Sequence, residues 1–151
     1  MKIKLTKLPI YFIGALLLFA SCNLPKDPNS SWQKAQKEGL KVGVVDNPPF
    51  TNTASDSFSG NEIEIINKFA SSNKIEVSFL KGNESDLIEK LEKFELDMVI
   101  GGFNKKTVWS KKAGLSRPYD KEHVFLVPKG ENKLLVKLEE YIHKNLENEK
   151  S

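Results

Sequence analysis

The chain has 151 residues, the size of one domain, and its 23 Lys and Arg against 20 Asp and Glu give a formal net charge of +3. Three of the cations, Lys2, Lys4 and Lys7, lie at the extreme N-terminus, so the rest of the chain is nearly neutral. Arg117 is the only arginine, whereas nucleic-acid-binding proteins normally have clustered Lys and Arg with arginines that read the grooves, so we expect no nucleic-acid partner.

The N-terminal segment has the pattern of an export signal. Its basic residues precede an apolar run at residues 8–20, which is shorter than the roughly 20 residues a membrane-spanning helix needs. The next residues, Phe-Ala-Ser-Cys at positions 19–22, resemble a bacterial lipobox, in which the cysteine is acylated and the peptide is cut before it. We therefore expect a lipoprotein signal peptide at 1–21 and a lipid anchor, such as palmitate, on Cys22. An ordinary signal peptide followed by an incidental cysteine is the alternative.

Beyond Cys22, helical and strand patterns alternate along the chain. Residues 22–31 are rich in Pro, Asn and Ser and predict a short tether, which leaves residues 32–151 for a single lobe. Amphipathic helices are predicted at 32–38, 62–71, 84–94 and 132–146, and a helical turn within 105–112. Strands are predicted at 40–45, 75–80, 98–100 and 123–127. This alternation predicts an α/β fold, a three-layer sandwich around a small, mostly parallel sheet.

Polar residues at the helix starts are candidate N-caps. Asn61 precedes the second helix, and Glu64 follows three residues later, as in a capping box. Asn83 is the expected cap of the third helix. Glu62 and Glu64 are interpreted as helix-surface and capping residues rather than as a general acid and base.

Two loops follow strands at the sheet edge where α/β proteins bind ligands. The first contains Pro48 and Pro49, whose fixed backbone lets Phe50 present an aromatic face. The second begins with Gly101 and Gly102, which allow close approach of a small ligand to the backbone. Asn104 then adds polar donors near a helix start. Alternatively, Phe50 packs in the core and the glycines only form a turn.

Four segments in order resemble the extracellular solute-binding proteins of ABC transporters, of the polar-amino-acid type. They are LKVGVVDNPPF at 40–50, GNEIEI at 60–65, LDMVIGG at 96–102 and LSRPY at 115–119. The resemblance implies a type II periplasmic-binding-protein-like fold and a binding module rather than an enzyme. Asp97 and Tyr119 within these segments are interpreted as structural residues.

The resemblance and the loops together predict one ligand-binding set and no cofactor or metal site. Its members are Asn47, Phe50, Gly101, Gly102, Phe103, Asn104 and Trp109.

The chain departs from the resembled family in two ways. Amino-acid-binding members have an arginine that pairs with the solute carboxylate, and its position here holds Trp109. Lys105 or Lys106 supplies positive charge but lacks the planar guanidinium that binds a carboxylate through two hydrogen bonds. The family also has two lobes that close on the ligand, whereas we expect this chain to hold the first lobe only. We therefore expect weak or no solute affinity in the monomer, with a homodimer or another protein as the source of the missing wall.

The predicted function is a lipid-anchored module of the cell envelope, facing the periplasm or the cell exterior. It binds or presents a small polar solute for an ABC permease or a sensor. The alternative is an envelope lipoprotein that has lost solute binding and contacts proteins through Phe50, Phe103 and Trp109. An enzyme is not expected, because His123 and His143 are interpreted as surface residues without metal-ligand or nucleophile spacing.

Overall fold

The computed structural model of the chain describes residues 27–54 and 57–147. The predicted signal peptide, Cys22 and the first part of the predicted tether lie outside these residues. Among the helices of the described part, none is both long and apolar enough to cross a membrane.

The described residues form four α-helices and five strands in an α/β arrangement, which confirms the predicted fold class. The helices are α1 (Ser31–Glu38), α2 (Asn61–Ser72), α3 (Glu84–Glu92) and α4 (Asn132–Ile142). The strands are β1 (Leu40–Val44), β2 (Val77–Lys81), β3 (Met98–Ile100), β4 (Ala113–Leu115) and β5 (Leu126–Pro128). A 3-10 helix at Val108–Lys111 precedes β4, and a π-helical turn at His143–Glu147 follows α4.

The sheet is mixed, with strand order β2-β1-β3-β5-β4. β1 pairs in parallel with β2 and β3, whereas β5 runs antiparallel to both β3 and β4. The expected parallel arrangement therefore holds for β2, β1 and β3 only. Sequence reasoning missed β4, because the three residues Ala-Gly-Leu carry no apolar alternation. It also began the last strand at residue 123 rather than at Leu126.

Helices cover both faces of the sheet because the strand side chains alternate between two cores. In β1, Leu40, Val42 and Val44 are buried against α1, α2 and α4. Gly43 faces the other way, where the side chains of α3 lie so close that a Cβ at this position would be 3.0 Å from Leu87. The second core is formed by α3, β3 and β5. Its buried members are Leu87, Ile88, Leu91, Leu96, Val99, Phe103, Ala113, Val124 and Leu126.

The start of α2 differs from the sequence expectation. Its N-cap is Gly60, and no side-chain cap is present, so the predicted capping box of Asn61 and Glu64 does not form. Backbone groups replace it, since the N–H groups of Asn61 and Glu62 donate to the carbonyls of Pro49 and Phe50 at 3.3 and 3.0 Å. The first turn of α2 is thereby fixed to the loop after β1. By contrast, Asn83 caps α3 as predicted, accepting from the N–H of Asp86 at 2.9 Å.

Truncation of Leu87 tests the packing of α3 on the sheet. Leu87 is 1% exposed, so Leu87→Ala leaves a cavity in the smaller core and should lower the free energy of unfolding by about 2–5 kcal/mol. Leu80→Ala is the matched control, because Leu80 is 45% exposed and should lose less than about 1 kcal/mol. Urea denaturation followed by circular dichroism measures both, and equal losses would contradict the assigned core.

Candidate functional site

The loops after β1 and β3 meet at the carboxyl edge of the parallel strands. Asn47 Nδ2 donates a hydrogen bond to the Gly101 carbonyl at 2.8 Å, which joins the two loops directly. Gly102 has φ of 68°, and a Cβ there would lie 2.7 Å from Asn47 Nδ2 and 2.5 Å from Phe50 Cδ2. Only glycine fits this position. The structure therefore brings together four of the predicted site residues, Asn47, Phe50, Gly101 and Gly102.

Phe50 is half-buried and presents its ring beside His123. The two ring centroids are 4.4 Å apart. His123 Nδ1 lies 2.7 Å from Asp120 Oδ2, and the residues from Asp120 to His123 line a shallow depression of about 320 Å³. His123 is half-buried, not the surface residue that sequence reasoning assigned, and it precedes β5 rather than lying in a strand. This side of the site was missed because residues 120–123 form a turn without a recognisable pattern.

Asp120 is held as a carboxylate by this turn. Partial burial acts to raise its pKa, but hydrogen bonds from the backbone N–H groups of His123 and Glu122 and from the His123 ring outweigh it. The pKa of Asp120 therefore lies below its ordinary value. The edge of the site next to Phe50 consequently carries a negative charge.

A buried carboxylate supports the loop after β3 from the interior of the lobe. Glu62 is 0% exposed, and its Oε2 accepts hydrogen bonds from the N–H groups of Gly101 and Gly102 at 2.8 and 3.1 Å. Its Oε1 accepts from the Tyr119 hydroxyl at 2.7 Å. The interpretation of Glu62 as a surface residue is therefore wrong. The helical spacing of the sequence does indicate that Glu62 is buried. Glu62 lies four positions before Ile66 and seven before Phe69, which places it on the buried face of α2.

The environment of Glu62 affects the protonation of both partners. Burial raises the pKa of Glu62, although the hydrogen bonds from Tyr119, Gly102 and Gly101 oppose the rise. Burial and the nearby Glu62 charge raise the pKa of Tyr119 well above its ordinary value, so Tyr119 remains a donor. Tyr119 is buried and its ring stacks on Phe125 at 4.8 Å, in keeping with the structural role expected for it.

Because Glu62 accepts from both glycine N–H groups, these two donors are not available to a solute. Adjacent N–H groups in such a turn form a small anion-binding concavity, and here the protein supplies the anion itself. A solute at this edge would instead meet the Phe50 ring and the side chains that border it.

The other three predicted site residues lie farther along the same loop. Phe103 is only 6% exposed and belongs to the smaller core, so its ring offers little surface to a ligand. Asn104 is exposed, and its Oδ1 accepts from the Lys106 N–H at 2.9 Å. Trp109 lies in the 3-10 helix against α3, and its indole N–H donates to Glu84 Oε2 at 2.7 Å. Within residues 27–54 and 57–147, no three His, Cys, Asp or Glu side chains are grouped to hold a metal ion.

Comparison with known proteins gives one family and several relatives. Residues 40–149 match the family described as bacterial extracellular solute-binding proteins, family 3. The chain is 28% identical over 120 residues to a probable histidine-binding protein of Campylobacter jejuni, covering 79% of this chain and 46% of that protein. It is 26% identical over 100 residues to membrane-bound lytic murein transglycosylase F of Vibrio parahaemolyticus, covering 65% of this chain but 19% of the enzyme. The chain thus spans less than half of either relative.

Solved structures share the single-lobe fold. The arginine-bound form of domain 1 from TmArgBP superposes with a TM-score of 0.63 at 22% identity, covering 70% of this chain and 91% of that one. An ancestral cationic amino acid solute-binding protein gives a TM-score of 0.69 at 13% identity, covering 77% of this chain and 93% of that one. At these identities the likeness shows the fold alone.

The raised pKa of Glu62 predicts a pH-dependent stability. Since the folded-state pKa lies above the ordinary value of 4.5, the unfolded chain releases this proton first as pH rises. The stability contributed by Glu62 is therefore complete below about pH 4.5 and is lost as pH rises through the folded-state pKa. Glu62→Gln should remove this decline, because the amide does not ionise.

Urea unfolding at a series of pH values from 4 to 8 measures the free energy of unfolding of both proteins. The wild-type value minus the Glu62→Gln value gives the contribution of the Glu62 carboxyl at each pH. Glu64→Gln is the control, as Glu64 is exposed in the same helix turn. A flat difference for Glu62→Gln across the series would show that this carboxyl does not have a raised pKa.

Proposed function

This chain belongs to family 3 of the bacterial extracellular solute-binding proteins, and we propose that it is a non-catalytic, lipid-anchored module that binds a small polar solute at the Phe50 edge. One observation carries the proposal. The half-exposed Phe50 ring is braced by Asn47, Gly102 and His123 at the carboxyl edge of the parallel strands, where α/β folds bind ligands. A pre-formed aromatic face costs little ordering on binding.

Amino acids are the solute class that the relatives favour. One relative is named a probable histidine-binding protein. TmArgBP domain 1, which shares the fold of this lobe, is described in an arginine-bound form. That second protein supports the idea that a lone lobe of this fold can hold a solute. Asp120 beside His123 would attract the cationic part of such a solute, and the Phe50 face would contact its ammonium or guanidinium group.

The solute carboxylate would have to be bound without an arginine. Trp109 occupies the position of the family's arginine and donates to Glu84 instead of pointing a cation at the site. Lys105 and Lys106 are exposed beside Asn104, and within the described residues neither has a carboxylate within ion-pairing distance. A flexible ammonium binds a carboxylate less specifically than a guanidinium fork, so we propose weak affinity.

The proposed location is the bacterial cell envelope outside the cytoplasm, in keeping with the description of the family. The lipid on Cys22 rests on the lipobox-like sequence at 19–22 and would hold the lobe at a membrane. There it would present solute to an ABC permease or a sensor. A second copy of the chain or the partner itself would supply the wall that a single lobe lacks.

Absence of catalysis is part of the proposal, although enzymes occur among the relatives. Of the two carboxyls at the site, Glu62 is fully buried and accepts from three donors, so it cannot reach a substrate. Asp120 is held by two backbone N–H groups and by the His123 ring. The imidazole of His123 is bonded to Asp120 at one nitrogen, and no nucleophilic side chain among the described residues is bonded to it.

A protein-interaction module is the second candidate function. It is favoured by the open, shallow shape of the depression next to His123 and by Val108, which is 81% exposed beside Trp109. An aromatic and aliphatic surface of this kind suits a protein partner.

Calorimetry on the chain without its first 22 residues tests solute binding, with arginine, histidine and glutamine as titrants. We expect weak binding with a dissociation constant above about 10 µM, because a one-sided site buries less of the solute than an enclosed pocket does. Phe50→Ala should weaken it about tenfold, since an aromatic contact of this size contributes about 1–2 kcal/mol.

Phe58→Ala is the matched control, because Phe58 is also half-buried but packs on Phe79 away from the site. Equal effects of the two substitutions would remove Phe50 from the site. No heat with any titrant would overturn solute binding and favour the protein-interaction module, whereas sub-micromolar affinity in a monomer would contradict the weak-binding expectation.

A further inference from the structure

Two helices at one end of the lobe are capped crosswise by carboxylates from distant parts of the chain. Glu131 is 1% exposed and accepts hydrogen bonds from the N–H groups of Asn29 and Ser31, both at 2.7 Å. In the other direction, Asp27 Oδ1 accepts from the N–H of Lys133 at 2.6 Å. Glu131 thus serves the start of α1, and Asp27 serves the start of α4.

This exchange takes the place of local capping. Neither α1 nor α4 has a hydrogen bond from the side chain of its own N-cap residue. The segment Asp27–Ser31, hereafter the strap, is fastened by three backbone hydrogen bonds to carboxylates across about a hundred residues of sequence. Pro28 also packs close to Gly130. The chain therefore enters the lobe at a defined place rather than through a loose linker.

The strap lies at the edge of the sheet opposite to the candidate site. β5 is antiparallel to β3, so its last residue, Pro128, lies where β1 and β3 begin. Glu131 follows three residues later and fixes the strap there. The Phe50 site lies at the other ends of β1 and β3, which are separated from the strap by the five-residue length of β1, roughly 17 Å.

Exposed lysines surround the strap. Lys129 and Lys133 flank Glu131 in sequence, and Lys129 Nζ donates to the carbonyl of Lys111 at 3.0 Å, which places Lys111 beside them. Across residues 27–54 and 57–147, no carboxylate lies within ion-pairing distance of these three lysines. Unpaired lysines next to an acylated segment are attracted by the negative potential of anionic phospholipids.

We propose that, while no permease is bound, this edge of the lobe is its membrane-facing surface, with Lys111, Lys129 and Lys133 against anionic phospholipid headgroups and the Phe50 site turned away from the bilayer. The inference rests on the proposed lipid anchor at Cys22. Four residues separate Cys22 from Asp27, so the fastened strap lies within roughly 18 Å of the anchor even when those residues are fully extended. This short reach keeps the lysine edge close to the headgroup surface, which is therefore the partner that we assign to it.

Fluorescence quenching on the lipoprotein purified from bacterial membranes tests the orientation. Cys22 is the only cysteine, so once it is acylated a single introduced thiol can be labelled specifically. Lys111→Cys and Lys106→Cys are a matched pair, being exposed lysines five residues apart towards opposite edges of the sheet. In vesicles of phosphatidylglycerol and phosphatidylcholine with a nitroxide-labelled headgroup, we expect quenching to be several-fold stronger at position 111 than at 106.

Removal of the contact between Glu131 and the strap should abolish the difference in quenching between positions 111 and 106. Glu131→Gln keeps the size of the side chain but places an amide donor against one of the two N–H groups, which releases the strap. Glu140→Gln is the control, because Glu140 is an exposed carboxylate on the same helix, and it should keep the difference. Circular dichroism of both variants establishes that the lobe remains folded.

The outcomes separate this inference from the proposed function. Mass spectrometry that finds no acyl group on Cys22 would overturn both the anchor and the orientation. An acylated protein with equal quenching at the two positions, or stronger quenching at 106, would overturn the orientation and leave solute binding intact. A difference that is unchanged in vesicles of phosphatidylcholine alone would overturn the contact between the lysines and anionic headgroups.

Discussion

The Glu62 carboxylate lies where three separate parts of the chain meet. Its own helix begins against the carbonyls of Pro49 and Phe50, and its two oxygens accept from the loop after β3 and from Tyr119. Removing this group would leave three donors without their partner, and two of them, the Gly101 N–H and the Tyr119 hydroxyl, are buried, where an unpaired donor is costly. The position of the Phe50 ring, the turn at Gly102 and the segment leading to His123 therefore all depend on one side chain.

This arrangement also limits what the site can bind. Two adjacent backbone N–H groups after a strand would suit a solute carboxylate, but here the protein's own carboxylate occupies them. Trp109, which we expect to replace the arginine of amino-acid-binding members, is turned to Glu84. The edge keeps an aromatic face with Asp120 beside it, and we propose that this combination favours the cationic rather than the anionic part of a solute.

Sequence patterns predicted most of the helices and strands and the close approach of the loops after β1 and β3. Both follow from residue periodicity and from the geometry of parallel strands. Apolar alternation identified β1 and the helical faces, and the carboxyl ends of parallel strands place Asn47 next to Gly101 regardless of detail. Glu62 was misplaced because glutamate in the first turn of a helix is usually solvated, and its spacing from Ile66 was the one contrary signal. The strap on Glu131 had no local signal, since its partners are about a hundred residues apart.

Nuclear magnetic resonance titration of the Glu62 carboxyl carbon, together with the amide protons of Gly101 and Gly102, tests the central role of this carboxylate most directly. If Glu62 supports the loop, the carboxyl carbon should titrate above its ordinary pKa of 4.5, and both glycine amide resonances should shift with the same midpoint. Titration of Glu62 at or below that value, or glycine amides that do not respond to it, would contradict the account.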